Sequence, residues 1–332
     1  LDNFFELGGH SLKATLLILK IHKELNVKVT IKEVFEHPRL DQQANCLDTK
    51  RNQEFLSIQR AERRPCYPVS SQQQSIFLVY KTDIDSTAYN MPIALSIEGQ
   101  LDRIKLERVI LELIKRHDSL RTCFDTLNGT LVQKINESVD FSLEFETVCG
   151  KDIPRVKDDF VRPFELEKAP LFRARLIRIN SDIATNVEKY LLLFDMHHII
   201  SDDTSMNILT REFMDLYNNK KLPEPRLQYK DYAIWNQNFM QTEDIKGYRD
   251  YWVKLFEGEI PILNLNTDFQ RQAHMKFQGG RHSFELSEEL TAALKKMSHD
   301  TGATLYMIVL TAFFIQLSKQ SGQEDIVIGS PA

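Results

Sequence analysis

Apolar residues recur three and four apart over residues 11–25. Leu12, Leu16 and Leu19 make one face, and Ala14, Leu17, Ile18 and Ile21 widen it, a spacing that predicts an amphipathic helix. Asn26 reads as its stop. Val27–Val34 leads into a short helix ending near His37–Pro38, and Leu40–Leu47 reads as one more, so the first 47 residues predict a small all-α bundle. Residues 48–65 (DTKRNQEFLSIQRAERRP) are polar and charged apart from Phe55, Leu56 and Ile58, and read as a linker. Beyond it the period changes repeatedly. Leu101–His117 carries a helical stripe of Leu106, Val109, Ile110, Leu113 and Ile114. Leu131–Ile135 and Phe141–Phe145 read as strands, and Leu171–Ile179 interleaves arginines with apolar residues. Tyr190–Met196 is a continuous apolar run broken only by Asp195, as in a strand buried on both faces. Thr204–Tyr217, Leu290–Met297 and Tyr306–Leu317 predict helices, and Ile326–Ile328 a strand. The mixture predicts an α/β lobe followed by the start of another.

Length and composition narrow this picture. With 332 residues, two or three compact units are expected. The 42% hydrophobic and 27% charged content fits packed domains rather than disorder. A net charge of −5 with no basic block argues against nucleic acid or an acidic membrane surface as partner. No apolar run reaches membrane-spanning length and no signal peptide is visible, which points to the cytoplasm. Cys46, Cys66, Cys123 and Cys149 form no CxxC pair and lie at no zinc-ligand spacing with a histidine, so neither a disulfide framework nor a metal is expected.

Two segments carry candidate chemistry. In Asp2–Leu12 (DNFFELGGHSL), two glycines precede a serine that opens a helix. A helix N-terminus offers free N–H groups and partial positive charge, and so favours a phosphate. Gly8 and Gly9 allow a tight bend and leave room for a modifying enzyme to reach the Ser11 hydroxyl. Ser11 as a plain helix cap explains the bare GGHS equally well. In Met196–Ser205 (MHHIISDDTS), two histidines follow the buried strand, and Asp202 lies four residues after the second. A metal would need a third ligand that nothing nearby supplies. The pair could be structural. It could also place an imidazole beside an attacking amine, with Asp202 ordering the ring or pairing with a buried cation.

The whole strings decide between these readings. DNFFELGGHSL resembles the core motif of the peptidyl carrier domains of nonribosomal peptide synthetases, and VFEHPRL (Val34–Leu40) resembles the stretch that closes that domain. SSQQQSIF (Ser70–Phe77), RHDSLRTCF (Arg116–Phe124), MHHIISDD and YKDYAIW (Tyr229–Trp235) resemble, in order, core motifs of the condensation domain of the same synthetases. That family has two chloramphenicol-acetyltransferase-like lobes facing a tunnel. The resemblance implies a carrier unit over residues 1–47 lacking its first helix, a linker over 48–65, a condensation N-terminal lobe over 66–235, and a truncated start of the C-terminal lobe over 236–332. It implies 4′-phosphopantetheine on Ser11, delivered by a phosphopantetheinyl transferase. It makes His198 the catalytic histidine, Asp202 the residue that shapes the loop, His197 structural, and Arg116 an ion-pairing residue linked to activity, with Arg121 of the same kind. The reaction implied is attack by the amine of a downstream aminoacyl-carrier on the upstream acyl thioester. Partners would be aminoacyl and peptidyl thioesters, an upstream adenylation domain and a downstream carrier domain. An epimerisation domain shares the histidine motif, and a non-catalytic carrier-docking platform is the rival from another class.

The chain departs from the pattern at two positions. Asp203 stands where HHxxxDG has glycine, which adds a carboxylate near the expected path of the pantetheine arm, and Ser75 stands where the family usually has arginine.

Overall fold

The computed structural model describes residues 2–5, 7–9, 11–50, 58–180, 188–269, 280 and 282–330. Residues 58–251 form one compact unit. The described residues before it group with those from 252 onward as the other.

The N-terminal segment folds into α1 (Ser11–Leu25), α2 (Ile31–Glu36) and α3 (Leu40–Asp48). Asn26, at φ +53°, ends α1 in the left-handed conformation that asparagine tolerates. Thr30 and Glu33 form a reciprocal capping box that starts α2. The buried face of α1 is not centred on Leu16 and Leu19, which are about half exposed. Ala14, with Leu17, Ile18 and Ile21, packs instead on Val27, Val29 and Val34. Lys50, in the segment read as linker, reaches back to bond the Glu33 carboxylate at 2.7 Å.

The central unit contains β1 (Tyr67–Pro68), α4 (Ser71–Thr82), β2 (Ile93–Glu98), α5 (Arg103–Arg116), β3 (Thr122–Leu127), β4 (Thr130–Ile135), β5 (Glu144–Cys149), α6 (Ile153–Phe160), β6 (Phe172–Asn180), β7 (Lys189–Met196), α7 (Asp203–Tyr217) and α8 (Tyr229–Phe239). The main sheet has the order β2-β7-β6-β5. Its β2–β7 and β7–β6 pairs are antiparallel and β6–β5 is parallel; β1-β4-β3 form a smaller sheet. On one face of the main sheet, Phe172, Leu176, Leu192 and Met196 meet Leu106, Ile110 and Leu113 of α5, with Leu209 and Phe213 of α7 packed alongside. On the other face, Ile177, Leu191 and Leu193 meet Val156 and Phe160 of α6. Strand β7 is thus covered on both sides, which accounts for its unbroken apolar run. The strand expected at Phe141–Phe145 begins later, at Glu144, because pairing with β6 sets its register.

After α9 (Glu243–Leu255), the chain forms α10 (Glu288–Thr301) and α11 (Leu305–Ser321). Ile326–Ile328, expected as a strand, is irregular, since an isolated apolar triplet acquires strand geometry only with a pairing partner. No single helix among the described residues is long and apolar enough to cross a membrane.

Candidate active site

Strand β7 ends at Met196, and the next two residues are stitched into place by main-chain bonds. The His197 N–H donates to the Leu171 carbonyl at 3.0 Å, and the His198 N–H donates to the Tyr89 carbonyl at 2.8 Å. Within residues 195–201, His198 alone is exposed. Its neighbours Ile199 and Ile200 are buried and pin the turn, while buried Gln73 of α4 donates to the Ile199 carbonyl at 3.3 Å.

The two histidines have opposite environments. His197 is 4% exposed, lies edge-on to Phe164 at 6.0 Å between ring centroids, and accepts the Ile199 N–H through Nδ1 at 3.1 Å. Burial, with a smaller contribution from His198, pushes its pKa down to about 4, so it stays neutral at physiological pH. His198 Nδ1 lies 2.6 Å from the Ser201 carbonyl oxygen. A carbonyl only accepts, so Nδ1 carries a proton, and Nε2 is the nitrogen that can act as a base.

Asp202, which could have ordered the ring or paired with a buried cation, serves the following helix. It caps α7, its Oδ1 accepting from the Ser205 N–H at 2.7 Å and from the Ser205 hydroxyl at 2.5 Å. The main-chain carbonyl of Ser201 orders the ring. Asp203 is the first residue of α7, where the N–H groups of the first turn favour a carboxylate. Its backbone is helical, so this position places no glycine-only demand on the chain.

Arg116 lies at the end of α5 and fastens α7 rather than touching the histidine turn. Its guanidinium donates to both oxygens of Glu212, at 2.7 and 3.2 Å, and to the Pro223 carbonyl at 2.6 Å. His117 Nε2 lies 2.7 Å from the same carboxylate. Burial alone would raise the Glu212 carboxyl; the bonds from Arg116 and His117 outweigh it and hold the group below the usual carboxylate range. Arg121 is more local: it bonds Asp118 and the carbonyl of Ile114. From α8, Tyr229 Oη lies 2.9 Å from Ser70 Oγ, the cap of α4, and Asp231 accepts the Ala61 N–H at 2.8 Å, so YKDYAIW ties α8 to the start of α4 and to the segment before β1. Glu212, Asn90 and Arg173 were not singled out from the sequence, because their partners lie far away along the chain.

At the other candidate, Ser11 opens α1; its side chain lies outside the described residues. The approach to it is tightly shaped. Gly8 has φ +85°, and a Cβ on Gly9 would sit 2.4 Å from the Phe4 carbonyl oxygen, so only glycine fits. Lys13 donates to the Gly8 carbonyl at 2.9 Å, and the first turn of α1 has no acidic residue. This backbone cradle suits a phosphodiester on Ser11.

Residues 64–332 match the family profile described as the condensation domain. The chain belongs to that family. Residues 1–47 match the profile described as the phosphopantetheine attachment site, so the cofactor implied is a covalently attached 4′-phosphopantetheine. The condensation domain and its carrier segment are 43% identical over 330 residues to bacitracin synthase 2 of Bacillus licheniformis, covering 99% of this chain and 12% of that protein. They are 41% identical over 330 residues to gramicidin S synthase 2 of Brevibacillus brevis, covering 99% of this chain and 7% of that one. The chain thus spans about an eighth or less of these relatives. In fold it is similar to the X-domain from teicoplanin biosynthesis, with TM-score 0.71 and 22% identity over 80% of this chain and 59% of that one. It is also similar to a four-domain nonribosomal peptide synthetase bound to AMP and glycine, with TM-score 0.67 and 21% identity over 81% of this chain and 20% of that one. The chloramphenicol-acetyltransferase-like α/β class read from the motifs is the class of these neighbours. Condensation domains are amide-forming enzymes of the acyltransferase type. Among the described residues, no cluster of three His, Cys, Asp or Glu side chains could hold a metal ion.

Proposed function

We propose that the chain joins two carrier-bound substrates through a peptide bond, with Ser11 as the attachment point for the arm and His198 as the catalytic residue. The observation that carries this reading is the state of His198: exposed at the end of a buried strand, with Nδ1 held by the Ser201 carbonyl and no hydrogen-bond partner for Nε2 among the described residues. Nε2 would accept a proton from the attacking amine, or stabilise the charge that develops as the amine adds. His197, neutral and buried, holds the turn. Asp202 and the Arg116–Glu212 pair hold α7, on which the turn rests. When bound, 4′-phosphopantetheine supplies a flexible thiol arm that presents an acyl group as a thioester. Thioester aminolysis is downhill, so positioning of tethered reactants can supply much of the rate, worth about 7–11 kcal/mol in favourable cases. The partners in this reading are aminoacyl and peptidyl thioesters, an upstream adenylation domain, a downstream carrier domain and a phosphopantetheinyl transferase.

Asp203, at the start of α7 shortly after the histidine turn, and Ser75, whose hydroxyl turns back to the Ser71 carbonyl, favour a second reading in which the lobe docks carriers without forming bonds. One assay separates the readings. Donor- and acceptor-loaded carriers are mixed in the intact synthetase, and the carrier-bound product is read by mass. Peptidyl thioester formation that falls about 10²–10⁴-fold in His198→Ala supports condensation. Carrier binding without product supports the platform. Inverted donor stereochemistry without bond formation identifies epimerisation.

A further inference from the structure

Asp195 is the one charged residue in the apolar run of β7, and it has no exposed surface. It stands opposite Arg173 in the β6–β7 register, on the same sheet face, with its Oδ2 3.6 Å from the Arg173 guanidinium. The same oxygen accepts from Asn90 Nδ2 at 2.7 Å. Both partners lead to the histidine turn. Asn90 gives its amide also to the Arg162 carbonyl at 2.9 Å, and its backbone forms an antiparallel bridge with His197. The residue before it, Tyr89, holds the His198 N–H. Arg173 donates to the carbonyls of Arg162 and Pro163 at 2.8 and 3.1 Å, and its guanidinium lies 3.7 Å over the Phe164 ring, which abuts His197. Three separate segments that touch the turn are therefore tied to one carboxylate.

A buried ion pair is weak evidence for stability, since apolar residues of the same volume commonly do as well. This cluster is also imperfect as a stabilising device, because Asp195 Oδ1 and Asn90 Oδ1 are buried without a partner. Its convergence on the turn is what distinguishes it. We propose that Asp195 is a positioning residue for peptide-bond formation, fixing the His197–His198 turn through Asn90 and Arg173. This rests on the reading of His198 as the catalytic residue.

The test uses the intact synthetase with a loaded donor carrier and a free aminoacyl-pantetheine acceptor, so that the maximal single-turnover rate and the half-saturating acceptor concentration are read separately. Asp195→Asn, Asn90→Ala, the double variant and His198→Ala are compared, each with its thermal unfolding curve. Asp195→Asn lowers the maximal rate about 10- to 100-fold with little change in half-saturation, as expected for a displaced reactive group. The double variant loses less than the sum of the two single losses, because both changes cut the Asn90–Asp195 bond. A wild-type maximal rate in Asp195→Asn, additive losses in the double variant, or equal changes in rate and half-saturation would overturn the proposal. If Asp195→Asn does not fold, Asn90→Ala decides by the same split: a reduced maximal rate supports the proposal and an unchanged one overturns it. A wild-type rate in His198→Ala overturns the underlying reading instead, whatever Asp195 does.

Discussion

Replacing Arg116 by methionine keeps most of its apolar stem but leaves Glu212 with one partner. The wild-type guanidinium makes two bonds to that carboxylate and one to the Pro223 carbonyl. The two side chains are 14% and 12% exposed. Removing one partner from a fully buried pair costs about 3–5 kcal/mol. Here some solvent reaches the site and His117 still bonds Glu212, so about 2–3 kcal/mol is expected. For a unit of this size each kcal/mol shifts the melting temperature by about 2–4 °C, which gives a fall of roughly 5–10 °C. Differential scanning calorimetry of wild type, Arg116→Met, Glu212→Gln and the double variant reads it. The double variant should be more stable than Arg116→Met, because it no longer buries an underpaired charge. The pH dependence follows from Glu212, whose folded carboxyl sits below its ordinary range. Its contribution is fully present above the unfolded value of about 4.3 and is lost as pH falls through the folded value. Wild type therefore loses stability on acidification below about pH 4.3 that Arg116→Met has already lost. Peptide-bond formation should fall less in Arg116→Met than in His198→Ala, since α7 is loosened but Nε2 remains. A melting shift under about 1 °C, or a double variant no more stable than Arg116→Met, would refute the reasoning.

Three further outcomes follow. Gly9→Ala forces a Cβ against the Phe4 carbonyl and should destabilise the carrier segment by about 1–3 kcal/mol; with coenzyme A and a phosphopantetheinyl transferase, intact mass should show slower modification, itself abolished in Ser11→Ala. Asp202→Ala removes the cap of α7 and should cost about 1–2 kcal/mol in thermal unfolding, whereas Asp202→Asn keeps an accepting oxygen and should stay close to wild type; equal losses would show that charge, not capping, matters. Asp203→Gly removes an exposed carboxylate beside the histidine turn and should raise the single-turnover rate of peptide-bond formation; equal rates for the two proteins would count against an inhibitory role for Asp203.

Much of this protein is determined locally. Helix α5 could be read from the spacing of Leu106, Ile110 and Leu113, and β7 from its unbroken apolar run, because burial on one helical face or on both sheet faces leaves a periodic trace. The candidate site residues could be named for a similar reason: His197, His198 and Asp202 lie within a few residues of one another, as do Gly8, Gly9 and Ser11. What those residues do was decided by tertiary structure. Leu16 and Leu19 look like the core of α1, yet the packing of α2 selects Ala14, since amphipathic spacing does not say which side of a wide apolar face is covered. Of the roles open to Asp202, the structure shows a helix cap, because a main-chain carbonyl, which leaves no trace in side-chain identity, accepts the hydrogen bond from His198 Nδ1. Arg116 could be named, but its partner Glu212 lies 96 residues away. Asp195 could be seen as an interruption in a strand, but its meaning depends on Asn90 and Arg173, which only the strand register and the fold of the 89–90 segment bring to it. Local periodicity is written within a few residues; the pairing of a buried charge depends on long-range contacts made when the whole lobe closes.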